Sequence, residues 1–219
     1  MKKLLFLSVI ATLVFACKPK SADEAKTGEA QKAAESSGTV YAVNENSVVS
    51  WRGIKPTGEH VGTVMVSDGQ VMVEDGALSA GSITIDLNSI VNSDLEGDMN
   101  ARLVGHLKSE DFFFTEKFPT AQFEIVSMEK FSGSAAEGEL TPSHEVTGNL
   151  TMRGETKSIT FPAAISVTDE MVSVKTNEFA IDRTLWNVNF KSKKIFAELK
   201  DDFIDDMINL RFDVTFKAE

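Results

Sequence analysis

Apolar and polar side chains alternate with period two over most of the chain from residue 39 onward. Ile83, Ile85 and Leu87 alternate with Thr84, Asp86 and Asn88. Val146, Gly148, Leu150 and Met152 alternate with Thr147, Asn149, Thr151 and Arg153, and Ile159, Phe161, Ala163, Ile165 and Val167 form a further stripe. Near the C-terminus Ile208, Leu210, Phe212, Val214 and Phe216 alternate with Asn209, Arg211, Asp213 and Thr215. Successive side chains of a strand point to opposite faces, so these stripes predict antiparallel sheet with one face buried. Further strands are predicted at 40–54, 60–67, 70–73, 121–128 and 171–181, divided by turns at Ser67-Asp68-Gly69, Glu74-Asp75-Gly76 and Gly133. One region has helical spacing: Met99, Leu103 and Leu107 recur at i, i+4 and i+8, with Asp98 placed to cap the start and an end near Ser109. The expectation is an all-β protein of about eight strands with one short interrupting helix. A sheet of that size closes on itself or folds into a sandwich, because open edges invite aggregation.

The N-terminal stretch departs from this pattern. Lys2 and Lys3 precede an apolar run over residues 4–15, which is short for a bilayer span and suits an export signal. Leu13-Val14-Phe15-Ala16-Cys17 resembles the lipobox of bacterial lipoproteins, and Cys17 is the one cysteine in the chain. The resemblance implies a signal peptide over 1–17, with Cys17 lipidated on sulfur and left as the mature N-terminus. It further implies a location in the cell envelope, anchored to a bacterial membrane on its periplasmic side or at the cell surface. Residues 18–38 are rich in Ala, Lys, Glu, Ser and Gly and hold no large apolar side chain. Such a segment reads as a flexible, solvated tether with an average reach of roughly 25 Å. Residues 39–219 then form the folded domain.

Charge narrows the partners. The chain carries 22 Lys and Arg against 33 Asp and Glu, a net charge of -11. Losing Lys2 and Lys3 with the signal leaves 20 basic residues against 33 acidic ones, or -13. That surface repels phosphate backbones, so nucleic acid is excluded as a partner, and it disfavours adhesion of the folded domain to anionic lipid. Membrane association is therefore assigned to the lipid on Cys17. A single cysteine forms no internal disulfide, so stability must come from a core, for which 42% apolar residues and 15 phenylalanines suffice.

Candidate chemistry is sparse. His60, His106 and His144 lie far apart and lack a companion cysteine, so no metal-ligand spacing exists and no metal is expected. Asp201, Asp202, Asp205 and Asp206 lack the sixth-position Gly and twelfth-position Glu of a calcium loop and read as a solvated acidic turn. There is no Gly-x-Ser-x-Gly elbow or Gly-rich phosphate loop, so no catalytic residue and no cofactor are assigned. Trp51, Trp186 and Phe112 to Phe114 are readable either as an aromatic rim or as plugs at the ends of a barrel.

Several segments together resemble the YceI-like family of periplasmic lipocalin-like proteins. They are Ser50-Trp51-Arg52-Gly53 with His60-Val61-Gly62, the strand 83–90, and Gly105-His106-Leu107-Lys108-Ser109-Glu110-Asp111-Phe112-Phe113. Phe118-Pro119-Thr120-Ala121-Gln122-Phe123, the hairpin 147–157, Ile181-Asp182-Arg183-Thr184 and the strand 208–212 follow in the family's order. The hairpins depart in detail: Val61 stands where threonine is commoner, and Glu155 where valine or isoleucine is.

The resemblance implies an extended antiparallel lipocalin-like barrel holding an isoprenoid or fatty-acyl amphiphile inside. On that implication Gly148, Ala163 and Ala121 would leave interior space beside larger neighbours. Phe123, Ile125, Leu150, Phe161, Ile165, Phe179 and Trp186 would contact the tail. Trp51, His60, His106, Phe112 and Phe113 would line the mouth, with the two imidazoles hydrogen-bonding the carbonyl of a polyprenyl quinone or another lipid head group. A homodimer stays open. The rival readings are a filled barrel acting as an interaction scaffold at the membrane surface, and an enzyme acting on isoprenoid lipids in the same cavity.

Overall fold

A computed structural model describes residues 22–219, so the predicted signal peptide over 1–17 and the predicted lipidation site Cys17 lie outside the described residues. The strands run in the order β1 (Asp23–Glu24), β2 (Lys26–Glu29), β3 (Thr39–Val43), β4 (Val48–Lys55), β5 (Gly58–Glu74) and β6 (Ala77–Asn92). After helix α1 (Gly97–Lys108) come β7 (Thr120–Lys130), β8 (His144–Met152), β9 (Glu155–Val167), β10 (Met171–Lys175), β11 (Phe179–Asp182) and β12 (Met207–Ala218).

Strands β5 through β10 each pair with the next in antiparallel fashion, β10 pairs with β12, and β12 returns to β3 and β4, both of which pair with β5. The sheet thereby closes into a ring. This is the all-β architecture with one short helix that the alternation predicts, closed as the barrel that the family resemblance implies, with twelve strands among the described residues in place of about eight. Its inner face carries the predicted stripes: Ile83, Ile85, Leu87, Val146, Leu150, Met152, Ile159, Phe161, Phe212, Val214 and Phe216 are all buried.

The long hairpin β5–β6 bends round the barrel through register shifts. One of them sits at Val66/Asp68, so Ser67-Asp68-Gly69 is a bulge inside a continuous strand instead of the predicted turn. The predicted turn at Asp75-Gly76 stands, with both residues at positive φ as a tight hairpin requires. Asp98 lies in the first helical turn and makes no cap; the N-cap is Glu96, without a side-chain bond. Within the helical stripe Leu107 is buried, whereas Met99 is 65% exposed and faces away from the barrel.

Residues 22–38 are not a free tether. The wall has a gap, because β10 pairs with β9 only from Ala164 to Val167 and β11 does not pair with β9. The N-terminal segment fills it. β1 runs parallel to β11, with Asp23 opposite Phe179, and β2 runs antiparallel to β9, with Glu29 opposite Lys157. Ala25 donates its N–H to the Ala180 carbonyl at 2.8 Å and joins the buried core. The chain then belts the outside of the barrel. Gln31 exchanges two hydrogen bonds with the Asn149 amide, at 2.9 and 2.7 Å. Ala34 N–H reaches the Ile125 carbonyl at 2.8 Å, where a register shift has loosened β7 from β8. Unpaired edge groups of a sheet demand partners, and they recruit this segment although it offers almost nothing apolar to bury.

Candidate functional site

At one end of the barrel, a pocket of about 340 Å³ opens between the β4–β5 hairpin, α1 with its exit, and the long loop 188–206. Each wall has a local cause. Trp51 packs against Gly62, where a Cβ would stand 1.9 Å from the Val91 carbonyl oxygen and 2.7 Å from the indole, so the glycine admits both the neighbouring strand and the ring. The start of α1 is tied down by Asn100, whose Nδ2 donates to the Asn92 and Leu95 carbonyls at 2.9 and 2.8 Å. This turns Leu103 and Leu107 toward the pocket. After the helix, Ser109 Oγ donates to the His106 carbonyl and Phe113 N–H donates to the Leu107 carbonyl, which folds Phe112 and Phe113 back over the same opening.

The loop 188–206 is clasped at its base by Arg183, 1% exposed. Its guanidinium donates to the carbonyls of Val188, Ile204 and Asp205 at 2.6, 3.0 and 3.0 Å and lies 3.5 Å from the Asp206 carboxylate. Burial pushes the Arg183 pKa down from its ordinary value, and the Asp206, Asp182 and Asp205 carboxylates oppose the shift.

Two histidines face the pocket, each held by a carboxylate. His60 Nδ1 lies 2.8 Å from Asp94 Oδ2, and His106 Nε2 lies 2.9 Å from Asp111 Oδ2. Asp94 is itself fixed, accepting from Val61 N–H at 2.8 Å and from Asn92 Nδ2. Chiefly through the Val61 N–H, its pKa is lowered to about 2. His106 also packs edge-on against Phe112 and Phe190, with centroids 4.9 and 4.7 Å away. A carboxylate beside one ring nitrogen orients each imidazole and leaves its other nitrogen for a further hydrogen bond. Trp51 Nε1 is buried without an acceptor among the described residues.

The sequence-predicted residues divide between two places. Trp51, His60, His106, Phe112 and Phe113 converge on the end pocket. Phe123, Ile125, Phe161 and Ile165 surround a separate void of about 40 Å³ in the barrel interior, which shares no lining residue with the pocket. That void has room for only a few waters. Leu150, Phe179 and Trp186 line neither and are packed solid: Trp186 is fully buried with Nε1 donating to the Leu150 carbonyl at 2.9 Å, and Phe179 stacks on Phe161 at 4.4 Å.

Small inward residues do not leave space as expected. The room beside Gly148 is taken by the Phe123 ring, into which a Cβ at 148 would run. The pocket wall also includes Phe190, Phe203, Ile204 and Ile208, which sequence reasoning did not single out. Ile208 stood in a predicted strand; the other three belong to a loop with no periodic signal.

His144 sits elsewhere, bonded to Ser143. Among the described residues no group of three His, Cys, Asp or Glu converges as a metal site, and no helix is long and apolar enough to cross a membrane. Of the acidic cluster, Asp202 pairs with Lys191 and Asp206 with Arg183.

Comparison with known proteins fits this architecture. A UPF0312 protein of Pseudomonas aeruginosa is 36% identical over 83 residues, 38% of this chain and 36% of that protein. Protein YceI of Salmonella newport is 33% identical over 106 residues, 48% of each. The chain thus spans about a third to a half of the length of these curated relatives. Among solved structures, Burkholderia cenocepacia BcnA superposes with a TM-score of 0.55 at 19% identity, over 77% of this chain and 95% of that one. A polyisoprenoid binding domain from Saccharophagus degradans gives 0.56 at 13% identity, over 83% and 99%. At such identities the likeness is one of fold. The sequence profile of the YceI-like domain, however, matches residues 40–216, the whole ring of strands from β3 to β12, and this chain belongs to the YceI-like family.

Proposed function

We propose that this chain is a lipid-anchored binding protein that holds an isoprenoid-like or fatty-acyl amphiphile in the end pocket, with its tail among the aromatic walls and its head at the two histidines. The observation that carries the reading is the pocket itself: about 340 Å³, walled by Trp51, Leu103, Phe112, Phe190 and Ile204, with two carboxylate-held imidazoles beside them. Small-molecule sites combine a mostly apolar concavity with a few placed polar groups, and this volume lies near the lower end of their range of about 300–1,000 Å³. Burying a tail there contributes about 25 cal/mol per Å². The Saccharophagus domain, of like fold, is described as polyisoprenoid binding.

The two imidazoles suit a head group that hydrogen-bonds: a quinone carbonyl, a prenol or quinol hydroxyl, or a carboxylic acid. The reading is of binding without turnover, with Cys17 lipidated and the barrel held at an envelope membrane.

Organic extraction of the purified protein followed by mass spectrometry tests it. A stoichiometric amphiphile is expected, and its retention should fall at least tenfold in His60→Ala/His106→Ala. The packed phenylalanines of the barrel interior favour a second reading, a filled barrel that serves as a scaffold at the membrane surface. An empty, compact protein after gentle purification would establish that reading and sink the carrier.

A further inference from the structure

The pocket's outer wall is a closed excursion of the chain. Ile204 N–H donates to the Lys191 carbonyl at 3.0 Å and Ser192 bridges Ile204, so the loop's two arms meet at the pocket. With the base clasped by Arg183, the outer part is turned by Phe196 N–H donating to the Ser192 carbonyl at 2.9 Å. There two adjacent apolar side chains stand in the open, Ile195 at 48% and Phe196 at 39% exposure. Apolar surface therefore recurs from the pocket wall at Phe190 and Phe203 to the outside of the loop. Packing within the barrel does not require these two side chains.

Charge and connectivity say what covers them. Residues 191–202 carry Lys191, Lys193, Lys194 and Lys200 against Glu198, Asp201 and Asp202, so this outer part of the loop is nearly neutral at +1 in a chain of net charge -11, and Asp205 and Asp206 bring the whole loop 188–206 to -1. Lys193 lies over the Phe203 ring at 4.7 Å, and Lys194 pairs with Asp182. The Glu24 carboxylate also acts on Lys194, so the first wall strand begins beside this loop. Cys17 is six residues before Asp23, and six residues span at most about 20 Å however they run. A lipid on Cys17 would hold this flank of the barrel at the bilayer.

We infer that the loop 191–202 is a bilayer-contacting surface: Ile195 and Phe196 enter the interfacial layer of the membrane that anchors Cys17, the lysines reach head-group level, and the pocket mouth is thereby presented to lipid. The inference rests on the anchoring reading above. Interfacial binding scales with buried apolar area plus electrostatics, and the outer loop supplies exposed apolar area at near-neutral charge on a chain whose acidic surface otherwise repels anionic membranes.

The lipidated protein, reconstituted in phosphatidylcholine–phosphatidylglycerol vesicles, tests it. With Cys17 blocked by its lipid, Ile195→Cys and Met171→Cys each offer one thiol for an environment-sensitive fluorophore. Met171 is a 41% exposed residue paired with Lys217, at the opposite end of β12 from the pocket residue Ile208. Quenching by lipids brominated near the head group should be several-fold stronger at 195 than at 171. Equal quenching at both positions overturns the inference. So does a shift at 195 that follows protein concentration without vesicles, which would mean that a second copy covers the loop. The mass of the mature chain reads the anchor separately. If Cys17 carries no lipid, the same contrast in labelled Cys17→Ser chain added to preformed vesicles still decides the loop. Lipid extraction remains the independent test of the carrier.

Discussion

Arg183 shows how one residue shapes the site without facing it openly. It is almost fully buried, and its three carbonyl partners belong to the two arms of the loop 188–206. Removing it would strand those carbonyls and leave the Asp206 carboxylate, 7% exposed, without its countercharge. Breaking a buried pair in this way costs about 3–5 kcal/mol. Arg183→Leu should lower the unfolding free energy by that amount in a urea titration. The glycines carry the complementary lesson. Gly62 and Gly148 are places where an aromatic ring, Trp51 or Phe123, rests on bare backbone, and neither partnership is visible from the local sequence.

Among the elements, the N-terminal segment departs furthest from expectation. Its composition, poor in large apolar residues, reads as solvated chain, yet it is wall strand and then belt. What decides its fate is an edge left open between β9 and β11, 128 or more residues away in sequence, together with the Asn149 amide. Asn149, outward by alternation, is 5% exposed for the same reason. Ala25 is the one side chain of this segment in the core. Ala25→Asp would set a carboxylate there, which costs well above the roughly 1–3 kcal/mol of a buried neutral polar group, and so release the segment. Hydrogen exchange checks this: the Ala25 and Ala34 amides, protected in the native chain, should exchange rapidly in the variant, while those of β5–β8 keep their protection. The bulge at residues 67–69 makes the same point on a smaller scale. Turn residues mark a break in regular strand, and only the partner strand β6 determines whether that break reverses the chain or merely bends it.

For the molecule as a whole, the barrel is neither hollow throughout nor solid throughout. Phe123, Phe161, Phe179 and Phe212 pack ring to ring in its interior, and the open volume lies at the end under α1 and the loop 188–206. This sets a length limit on the cargo. Along a series of n-alkanols, each added methylene should tighten binding about fourfold, from about 0.8 kcal/mol apiece, until the tail meets the phenylalanines. Affinity measured by calorimetry should then level off. A gain that continues without a plateau would mean that the rings part to admit the chain.

The amino-acid sequence by itself determined the sheet, the burial of its stripes and the single helix, while the grouping of Trp51, His60, His106, Phe112 and Phe113 near one opening followed from the resemblance of its ordered motifs to a family. Alternation is a local property of the strand, and ordered motifs survive without knowledge of contacts. Tertiary structure alone decided which inward residues enclose empty volume and which fill it, because free space is the remainder after side chains from many strands have packed. It also decided that residues 22–38 are wall and belt, since a segment with little more than Ala25 to bury is held chiefly by hydrogen-bonding groups that the rest of the fold leaves unpaired.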